Sequence, residues 1–393
     1  MDFSIHEDEQ AVVELARKIL EDQATNARKK EIEASDAPYD GTLWQTLAQS
    51  NLLGTAIPAA YGGVDLGFMS LCLLLQEVGR TVAPVPVFPA LVLGALPLAQ
   101  FGSEAQKEQW LPGIARGERI LTAALSEFES SDPLAPTTQA EVQGDGHRLT
   151  GIKTNVPCAE QATQILVPAR VDDGSIGLFF VDPSSAGVTL ATQDTSDGQP
   201  HAQLELAGTR VTDDARLGAN RDGADVLRWL VDRAIVARCM MQLGVTERAL
   251  EMTATYSRER VQFDRPIGSF QAVHQRAADA YIDVEAIRLS ALEAAWRLSQ
   301  NLPAAEHVTV AKFWAAEGGQ AAAYACQHLH GGIGIDMDYP LHRHFIWAIQ
   351  IEHELGSAKH QLDRLGRQIA AHGLPTTRAD TELTGEVTHE QSK

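Results

Sequence analysis

The chain has few cysteines. Only four occur among its 393 residues, at positions 72, 158, 239 and 326, and none forms a CxxC pair. Disulfide frameworks and zinc sites depend on closely spaced or numerous cysteines. Neither is expected here, and the composition fits a reducing cytoplasm.

The chain also lacks a long apolar run. Its first ten residues are acidic and contain no apolar signal core. No stretch approaches the roughly 20 apolar residues that a membrane-spanning helix needs. We therefore expect a cytoplasmic protein without a membrane partner.

Positive charge is scarce as well. The 32 Lys and Arg residues are outnumbered by 52 Asp and Glu residues, which gives a formal net charge of −20. Nucleic acid is thereby disfavoured as a partner, because phosphate neutralisation needs a basic surface. A few local arginines could still bind an anionic cofactor. Several histidines cluster between residues 328 and 344 but lack HExxH-type spacing, so no metal site is expected.

The pattern of apolar residues divides the chain into regions. Residues 1–119 show helical periodicity, residues 120–220 alternate short β-type runs with turns, and residues 221–372 return to long amphipathic helices. This predicts an α+β multidomain protein: an N-terminal helical domain, a middle β-barrel or sandwich and a C-terminal four-helix bundle. Residues 373–393 form a polar tail. The four bundle segments are predicted at Ala224–Arg258, Ser269–Asn301, Ala304–Leu329 and Leu341–His372.

Two corners of the predicted bundle carry unusual residues. The first, 258–271, places Arg260 and Phe263 before a proline and opens the next helix with Gln271. A guanidinium fork suits phosphate oxygens, and an aromatic ring nearby can lie on a nucleotide base. The second corner contains the pair Gly331-Gly332. For the first corner alone, an ordinary helix connection with surface arginines remains the alternative.

Together the two corners resemble the C-terminal domain of the acyl-CoA dehydrogenase family, flavoenzymes that desaturate acyl-CoA thioesters between the α and β carbons. The N-terminal region adds the family's order of motifs: Tyr-Gly-Gly at 61–63, an apolar helix ending in Glu-Val-Gly-Arg at 77–80, and Gly-Ser through Trp-Leu-Pro at 102–112. The resemblance covers nearly the whole chain. It implies FAD as cofactor, an acyl-CoA substrate and electron-transferring flavoprotein as electron acceptor.

In the family, the corners of one subunit grip the adenosine diphosphate half of the FAD of its neighbour. The resemblance therefore implies cofactor roles for several residues. One departure in this corner is Asp264, which stands where the family usually has a glycine. Arg260 matches the pyrophosphate arginine, Phe263 the aromatic beside adenine, Gln271 the glutamine after the corner, His328 a nucleotide-contacting glutamine, and Gly331 and Gly332 the glycine pair.

The half of the site that would hold the flavin ring departs from the family pattern. Ser126-Glu127 retains part of a Thr-Glu-Pro motif, and Ser126 is the remaining candidate contact, but Phe128 replaces the proline. Asn155 and Pro157 stand where a Trp and a Thr normally face the flavin. Proline has no N–H to donate. We expect the ring to be poorly held by this chain.

The catalytic base also departs from the pattern. Leu355 occupies the place of the usual glutamate. Glu354 is one residue away, but neighbours on a continuous helix point about 100° apart, so a solvated helix charge is the default. Asp232, next to Arg233, matches an alternative base position, with a helix-surface ion pair as its default.

These departures are one-sided, because the features that serve a neighbour's cofactor are kept. The chain is therefore closest in character to the base-lacking, flavin-sharing subunit of bacterial heteromeric, steroid-type acyl-CoA dehydrogenases, which are α2β2 heterotetramers. Two alternatives stay open. One is a self-sufficient homo-oligomer with Asp232 or Glu354 as base, and the other is a flavin-free acyl-CoA-binding or scaffold paralogue.

Overall fold

The N-terminal region is helical. The computed structural model describes residues 6–130, 132–218 and 221–373, so the predicted tail lies outside the described residues except for residue 373. The segment Phe88–Ala95 is π-helical and fully buried. The α-helices are α1 (Glu7–Gln23), α2 (Asn26–Glu33), α3 (Gly41–Gln49), α4 (Gly67–Thr81), α5 (Leu96–Phe101) and α6 (Glu104–Ala115).

The middle region forms one seven-stranded sheet. Its centre is a long antiparallel pair, β3 with β7, and β4 joins β1 and β2 in parallel and β5 antiparallel. Strand β2 escapes sequence-based prediction because it is short and only one of its four residues is buried. The strands are β1 (Leu121–Ala123), β2 (Gln139–Val142), β3 (Gly146–Pro157), β4 (Gln164–Val171), β5 (Ile176–Val181), β6 (Val188–Gln193) and β7 (His201–Thr212).

The C-terminal region is the predicted bundle with one difference. The first three predicted segments are observed, whereas the fourth, predicted as one helix over Leu341–His372, is two helices. A two-stranded hairpin, β8 (Val261–Gln262) and β9 (Arg265–Pro266), lies in the first corner. The helices are α7 (Gly223–Glu259), α8 (Gln271–Ser299), α9 (Ala305–His330), α10 (Leu341–His353) and α11 (Ala358–His372).

The break between α10 and α11 has clear local causes. Leu355 and Gly356 both adopt positive φ, 56° and 97°, which an α-helix cannot continue. The ammonium group of Lys312, on α9, donates to the carbonyls of Ile351 (2.6 Å) and Glu352 (3.2 Å) and so caps the end of α10. The break places Glu354 in extended conformation, outside either helix.

The N-terminal region and the bundle pack closely through α4 and α7. A Cβ added at Gly79 would lie 2.1 Å from the carbonyl oxygen of Met241, and one at Gly244 would lie 1.9 Å from that of Gln76. The two helices can approach this closely only because both positions lack a side chain. No helix within the described ranges combines the length and apolar character needed to cross a membrane.

Candidate cofactor-binding site

The first bundle corner is a strained hairpin. Phe263 and Asp264, its two central residues, have φ of 54° and 62°. A two-residue hairpin turn with both φ values positive favours Asn-Gly, and a bulky Phe there is unusual. The Phe263 ring is 87% exposed. Strain combined with an exposed aromatic ring is more typical of a binding surface than of a simple connection.

Arg260 lies directly after α7, where its backbone is hydrogen-bonded and its side chain is free. Its N–H donates to the carbonyl of Tyr256 and its carbonyl accepts from the N–H of Ile267, both at 2.8 Å. Its guanidinium is exposed and has no ion pair or hydrogen bond within the described part of the chain. Gln271 begins α8 and is also exposed. Both are available to an external ligand.

In the second corner, the backbone of the glycine pair is not covered by side chains. Gly331 has φ of 64°, and a Cβ added at Gly331 or Gly332 would meet nothing within 4 Å. The side-chain amide of Gln327 faces the carbonyl of Gly334 (3.0 Å) and the N–H of Ile335 (3.2 Å) and braces the loop. His328, the residue matched to the nucleotide-contacting glutamine, is exposed.

A partly buried aromatic cluster joins the two corners. His330 stacks on Tyr256 with ring centroids 4.5 Å apart, and its Nε2 lies 3.1 Å from the hydroxyl of Tyr339. Tyr256 is in the last turn of α7, four residues before Arg260. Burial lowers the pKa of His330. The neutral ring thus connects the two loops in one rigid support.

A separate pocket lies between the sheet and the bundle. Ser126, Asn155 and Pro157 line it from the sheet, and Glu354 and Leu355 line it from the α10–α11 break. The structure therefore brings Asn155, Pro157 and Leu355 together in one pocket, whereas Phe128, the other departure from the family pattern, is exposed outside it. Its cavity is about 30 Å³, room for one or two water molecules.

An ion pair between Arg238 and Glu354 forms part of the wall of this pocket. Nε of Arg238 lies 2.5 Å from Oε2 of Glu354, and both side chains are only 8% exposed. Nε of Arg238 makes no hydrogen bond among the described residues, so the contact is an ion pair. The Arg238 guanidinium also stacks at 3.8 Å on the ring of Phe88. The expectation of a solvated helix charge at Glu354 is thus wrong, because the helix break turns the carboxylate inward.

Two further titratable groups surround this pair. Nε2 of His201 lies 3.9 Å from Oε1 of Glu354. Burial, and next the negative charge of Glu354, raise the pKa of Asp197. Sequence reasoning missed Arg238, His201 and Asp197. A lone arginine inside the apolar run 234–241 was the available signal, since a buried charge requires a partner.

Glu127, next to Ser126, is a structural residue. Its Oε1 accepts from the ammonium of Lys153 at 2.5 Å, and both side chains are almost fully buried. Burial alone would raise the pKa of Glu127, but the charge of Lys153 and hydrogen bonds from Thr137 lower it to about 2. This pair joins β3 to the segment between β1 and β2.

Asp232 pairs differently from the expected neighbour contact. Its Oδ1 accepts from Nη2 of Arg364, on α11, at 2.8 Å, and Asp232 is 8% exposed. Arg233 instead stacks on Trp229 and donates to the carbonyl of Leu298. The predicted surface pair Asp232-Arg233 is therefore wrong: the aspartate is buried and joins the first and last helices of the bundle.

Comparison with known proteins identifies the family. The sequence model of the acyl-CoA dehydrogenase N-terminal domain matches residues 6–118, and that of the C-terminal domain matches residues 221–370. The chain belongs to the acyl-CoA dehydrogenase family. Its members are oxidoreductases that act on acyl-CoA.

Individual relatives of this acyl-CoA dehydrogenase are similar over their whole length. Acyl-CoA dehydrogenase FadE27 of Mycobacterium tuberculosis is 39% identical, over 94% of this chain and 99% of its own. A chain of the ChsE4–ChsE5 complex from Mycobacterium tuberculosis superposes with a TM-score of 0.90 at 40% identity, covering 96% and 100% of the two chains. A chain from a variant of the Tcur3481–Tcur3483 steroid ACAD gives 0.87 at 43% identity, covering 93% and 98%.

The residues present fit the two halves of FAD unequally. The corners offer a free guanidinium, an exposed aromatic ring and an open glycine backbone, which suit a pyrophosphate and an adenine. The pocket between sheet and bundle has about 30 Å³ of space, less than a three-ring flavin occupies, and Arg238 and Glu354 in its wall pair with each other. Within the described ranges, no group of three His, Cys, Asp or Glu residues could hold a metal ion.

Proposed function

We propose that this chain is a subunit of an FAD-dependent acyl-CoA dehydrogenase that lends the adenosine diphosphate-side contacts to a flavin bound mainly by a paralogous partner chain. The proposed assembly is an α2β2 heterotetramer. One observation carries the proposal: the corners are open, whereas the ring pocket of the same chain is narrow and its lining residues Arg238 and Glu354 pair with each other.

Each corner residue has a definite role in this proposal. The guanidinium of Arg260 binds the pyrophosphate, Phe263 lies on the adenine, and the backbone at Gly331-Gly332 admits the phosphate closely. Gln271 and His328 add polar contacts at the rim. When bound, FAD would accept the hydride that desaturation removes from the acyl-CoA.

The proton chemistry of desaturation is assigned to the partner chain. A general base for the α-proton needs a carboxylate with a free lone pair facing the substrate. Leu355 has no such group, Glu354 is engaged by Arg238, and Asp232 is engaged by Arg364. None of the candidates in this chain is free to act.

The exposed face of α8 supports an assembly with another chain. Tyr281, Ile282 and Leu289 are large apolar residues that remain more than half exposed on this helix. Large apolar residues exposed on one helix are a feature of surfaces that bind another protein. The similarity to chains of the ChsE4–ChsE5 complex and of a steroid ACAD supports a paralogous partner and a bulky steroid acyl-CoA substrate. Electron-transferring flavoprotein is the proposed electron acceptor.

The self-sufficient alternative is favoured by one observation only: Glu354 lies in the pocket with Ser126. For Glu354 to act as base, Arg238 would have to leave it and the pocket would have to widen. The flavin-free scaffold alternative corresponds to an assembly that acquires no flavin in any pairing.

The proposal is tested with an Arg260→Gln variant of this chain, co-expressed with a paralogous acyl-CoA dehydrogenase chain. We expect the variant assembly to lose most of its flavin absorbance while retaining its native mass. Arg276→Gln is the matched control, because Arg276 is an exposed arginine in the first turns of α8. Equal flavin content in the Arg260→Gln and control assemblies would contradict the assigned role.

A further inference from the structure

The second corner depends on the N-terminal region for part of its support. It spans residues 330–340, up to the start of α10, and much of it faces solvent: Ile335 and Met337 are 71% and 64% exposed. Its own hydrogen bonds are local, such as the one from the N–H of Tyr339 to the carbonyl of Asp336 at 3.0 Å. An exposed segment with few buried contacts keeps one geometry only where neighbouring elements hold it.

Asn26, the first residue of α2, is one such support. Its Nδ2 donates to the carbonyl of Asp338 at 2.8 Å, and its Oδ1 accepts from Nη1 of Arg343, on α10, at 2.6 Å. Because a guanidinium is only a donor, the amide oxygen of Asn26 must face Arg343, which leaves the N–H groups for the carbonyl of the corner. Lys30, one turn further along α2, forms an ion pair with the carboxylate of Asp338.

Arg343 keeps the Asn26 amide in this orientation. Its side chain is almost fully buried, and its Nε and Nη2 both donate to Glu33, the last residue of α2, at 2.5 Å. A two-pronged contact of this kind fixes the plane of the guanidinium. The three side chains therefore form a rigid connection between α2 and α10, from which the N–H of Asn26 reaches the corner.

From Asp338 the connection continues to the glycine pair. The next residue, Tyr339, has its hydroxyl 3.1 Å from Nε2 of His330, the residue directly before Gly331. Nδ1 of His330 lies 2.9 Å from the carbonyl of Cys326 and therefore carries the proton, so Nε2 accepts from the hydroxyl. The backbone of the corner is thus held by α2 on one side and by His330 on the other.

We propose that Asn26 is a positioning residue for the cofactor contact of the second corner. The inference rests on the proposed function, in which the backbone at Gly331-Gly332 meets the phosphates of a flavin held mainly by the partner chain. A binding arrangement of this kind works only where its groups are held to within about 0.5 Å of the productive geometry. Asn26 acts through Asp338 rather than on the cofactor. The N-terminal region thereby sets the position of a contact that the bundle presents.

The test uses Asn26→Asp in the assembly co-expressed with a paralogous acyl-CoA dehydrogenase chain, stripped of flavin and titrated with FAD. Aspartate keeps an acceptor for Arg343, and its charge suits the first turn of α2, so the melting temperature of the lone chain should stay unchanged or rise. Aspartate has no N–H for the carbonyl of Asp338. We expect the FAD dissociation constant to rise about five- to tenfold, as the loss of one hydrogen bond predicts, with kcat at saturating FAD unchanged.

Two further variants accompany this one. Ala305→Asp places the same charge at the exposed first residue of α9 and should leave the affinity for FAD unchanged. Tyr339→Phe keeps the ring but frees the corner from His330, and it should weaken FAD binding by a similar factor to Asn26→Asp. For Asn26→Asp, a loss of FAD affinity without a loss of turnover or stability distinguishes positioning from a general structural role.

The outcomes separate this inference from the proposed function. Wild-type FAD affinity in both Asn26→Asp and Tyr339→Phe, alongside weakened binding in Arg260→Gln, would overturn the inference and leave the proposed function standing. Wild-type affinity in Arg260→Gln as well would contradict the proposed function itself. A melting temperature of the lone Asn26→Asp chain that falls in proportion to its loss of FAD would also overturn the inference, because the amide would then support the fold in general.

Discussion

Breaking the buried pair between Arg238 and Glu354 should destabilise the chain strongly. In Glu354→Gln, the guanidinium stays buried against Phe88 but loses its only close carboxylate among the described residues. Removing one partner of a buried ion pair typically costs about 3–5 kcal/mol of unfolding free energy. Stacking on Phe88 keeps part of the favourable environment of the cation, so we expect about 3 kcal/mol.

The double variant separates this explanation from simple loss of packing. Arg238→Met with Glu354→Gln leaves neither charge of the pair in the pocket, and replacing a buried pair with uncharged groups of similar volume is often near neutral. We therefore expect the double variant to be more stable than Glu354→Gln, with a coupling energy of about 2–3 kcal/mol. The assay is urea unfolding followed by circular dichroism and tryptophan fluorescence.

The exposed pair Arg116–Glu118 provides the control. These side chains are 60% and 56% exposed, so Glu118→Gln should produce no resolvable change. If Glu354→Gln is as harmless as this control, or if the two pocket substitutions are simply additive, the pair is not the closed structural unit described above.

Three further predictions concern other parts of the molecule. Lys153→Met should lower the unfolding free energy by about 3–5 kcal/mol, because it leaves Glu127 buried and unpaired; urea unfolding measures it. Burial, with Lys29 and Arg248 contributing, lowers the pKa of His344 to about 4 despite two carbonyl neighbours. Neutral His344 therefore contributes its full stabilisation above the unfolded pKa near 6.5, and the unfolding free energy falls by about 1.4 kcal/mol per pH unit as the pH drops from there to 4. His344→Gln should flatten this pH dependence of the unfolding free energy between pH 6.5 and 4. Asp264→Gly should increase the unfolding free energy by up to about 1 kcal/mol and so raise the melting temperature slightly, because glycine adopts φ of 62° without strain. An unchanged melting temperature would show that Asp264 stabilises the turn.

The elements with strong periodicity could be predicted from the sequence. The long bundle helices and most strands follow from local patterns of apolar residues, which need no knowledge of distant contacts. The open corners were located through the residues Arg260, Phe263 and the glycine pair. Their cofactor roles stay predictions.

The break at Leu355 could have been found from the sequence. Gly356-Ser357 combines a residue typical of a helix end with a residue typical of a helix start. Apolar residues on both sides favoured a continuous helix instead. That single error also hid the inward direction of Glu354.

The contacts of Arg238 and Lys29 could not be predicted from local patterns. Arg238 meets Glu354 only because α7 and the α10–α11 break are packed together, and the partners lie far apart in the chain. Lys29 is buried because its ammonium donates to the carbonyl of Thr81, at the end of α4, which lies far from Lys29 in the chain. Such properties arise from tertiary packing, which single-sequence periodicity does not record.

The number of flavins per chain tests the central claim most directly. We would measure the FAD-to-protein ratio and native mass of this chain purified alone and after co-expression with a paralogous acyl-CoA dehydrogenase chain. We predict no flavin in the lone chain and one FAD for each pair of chains in the mixed assembly. One FAD per chain in a lone homo-oligomer, bleached by acyl-CoA, would contradict the account and return Glu354 and Asp232 to consideration as the base.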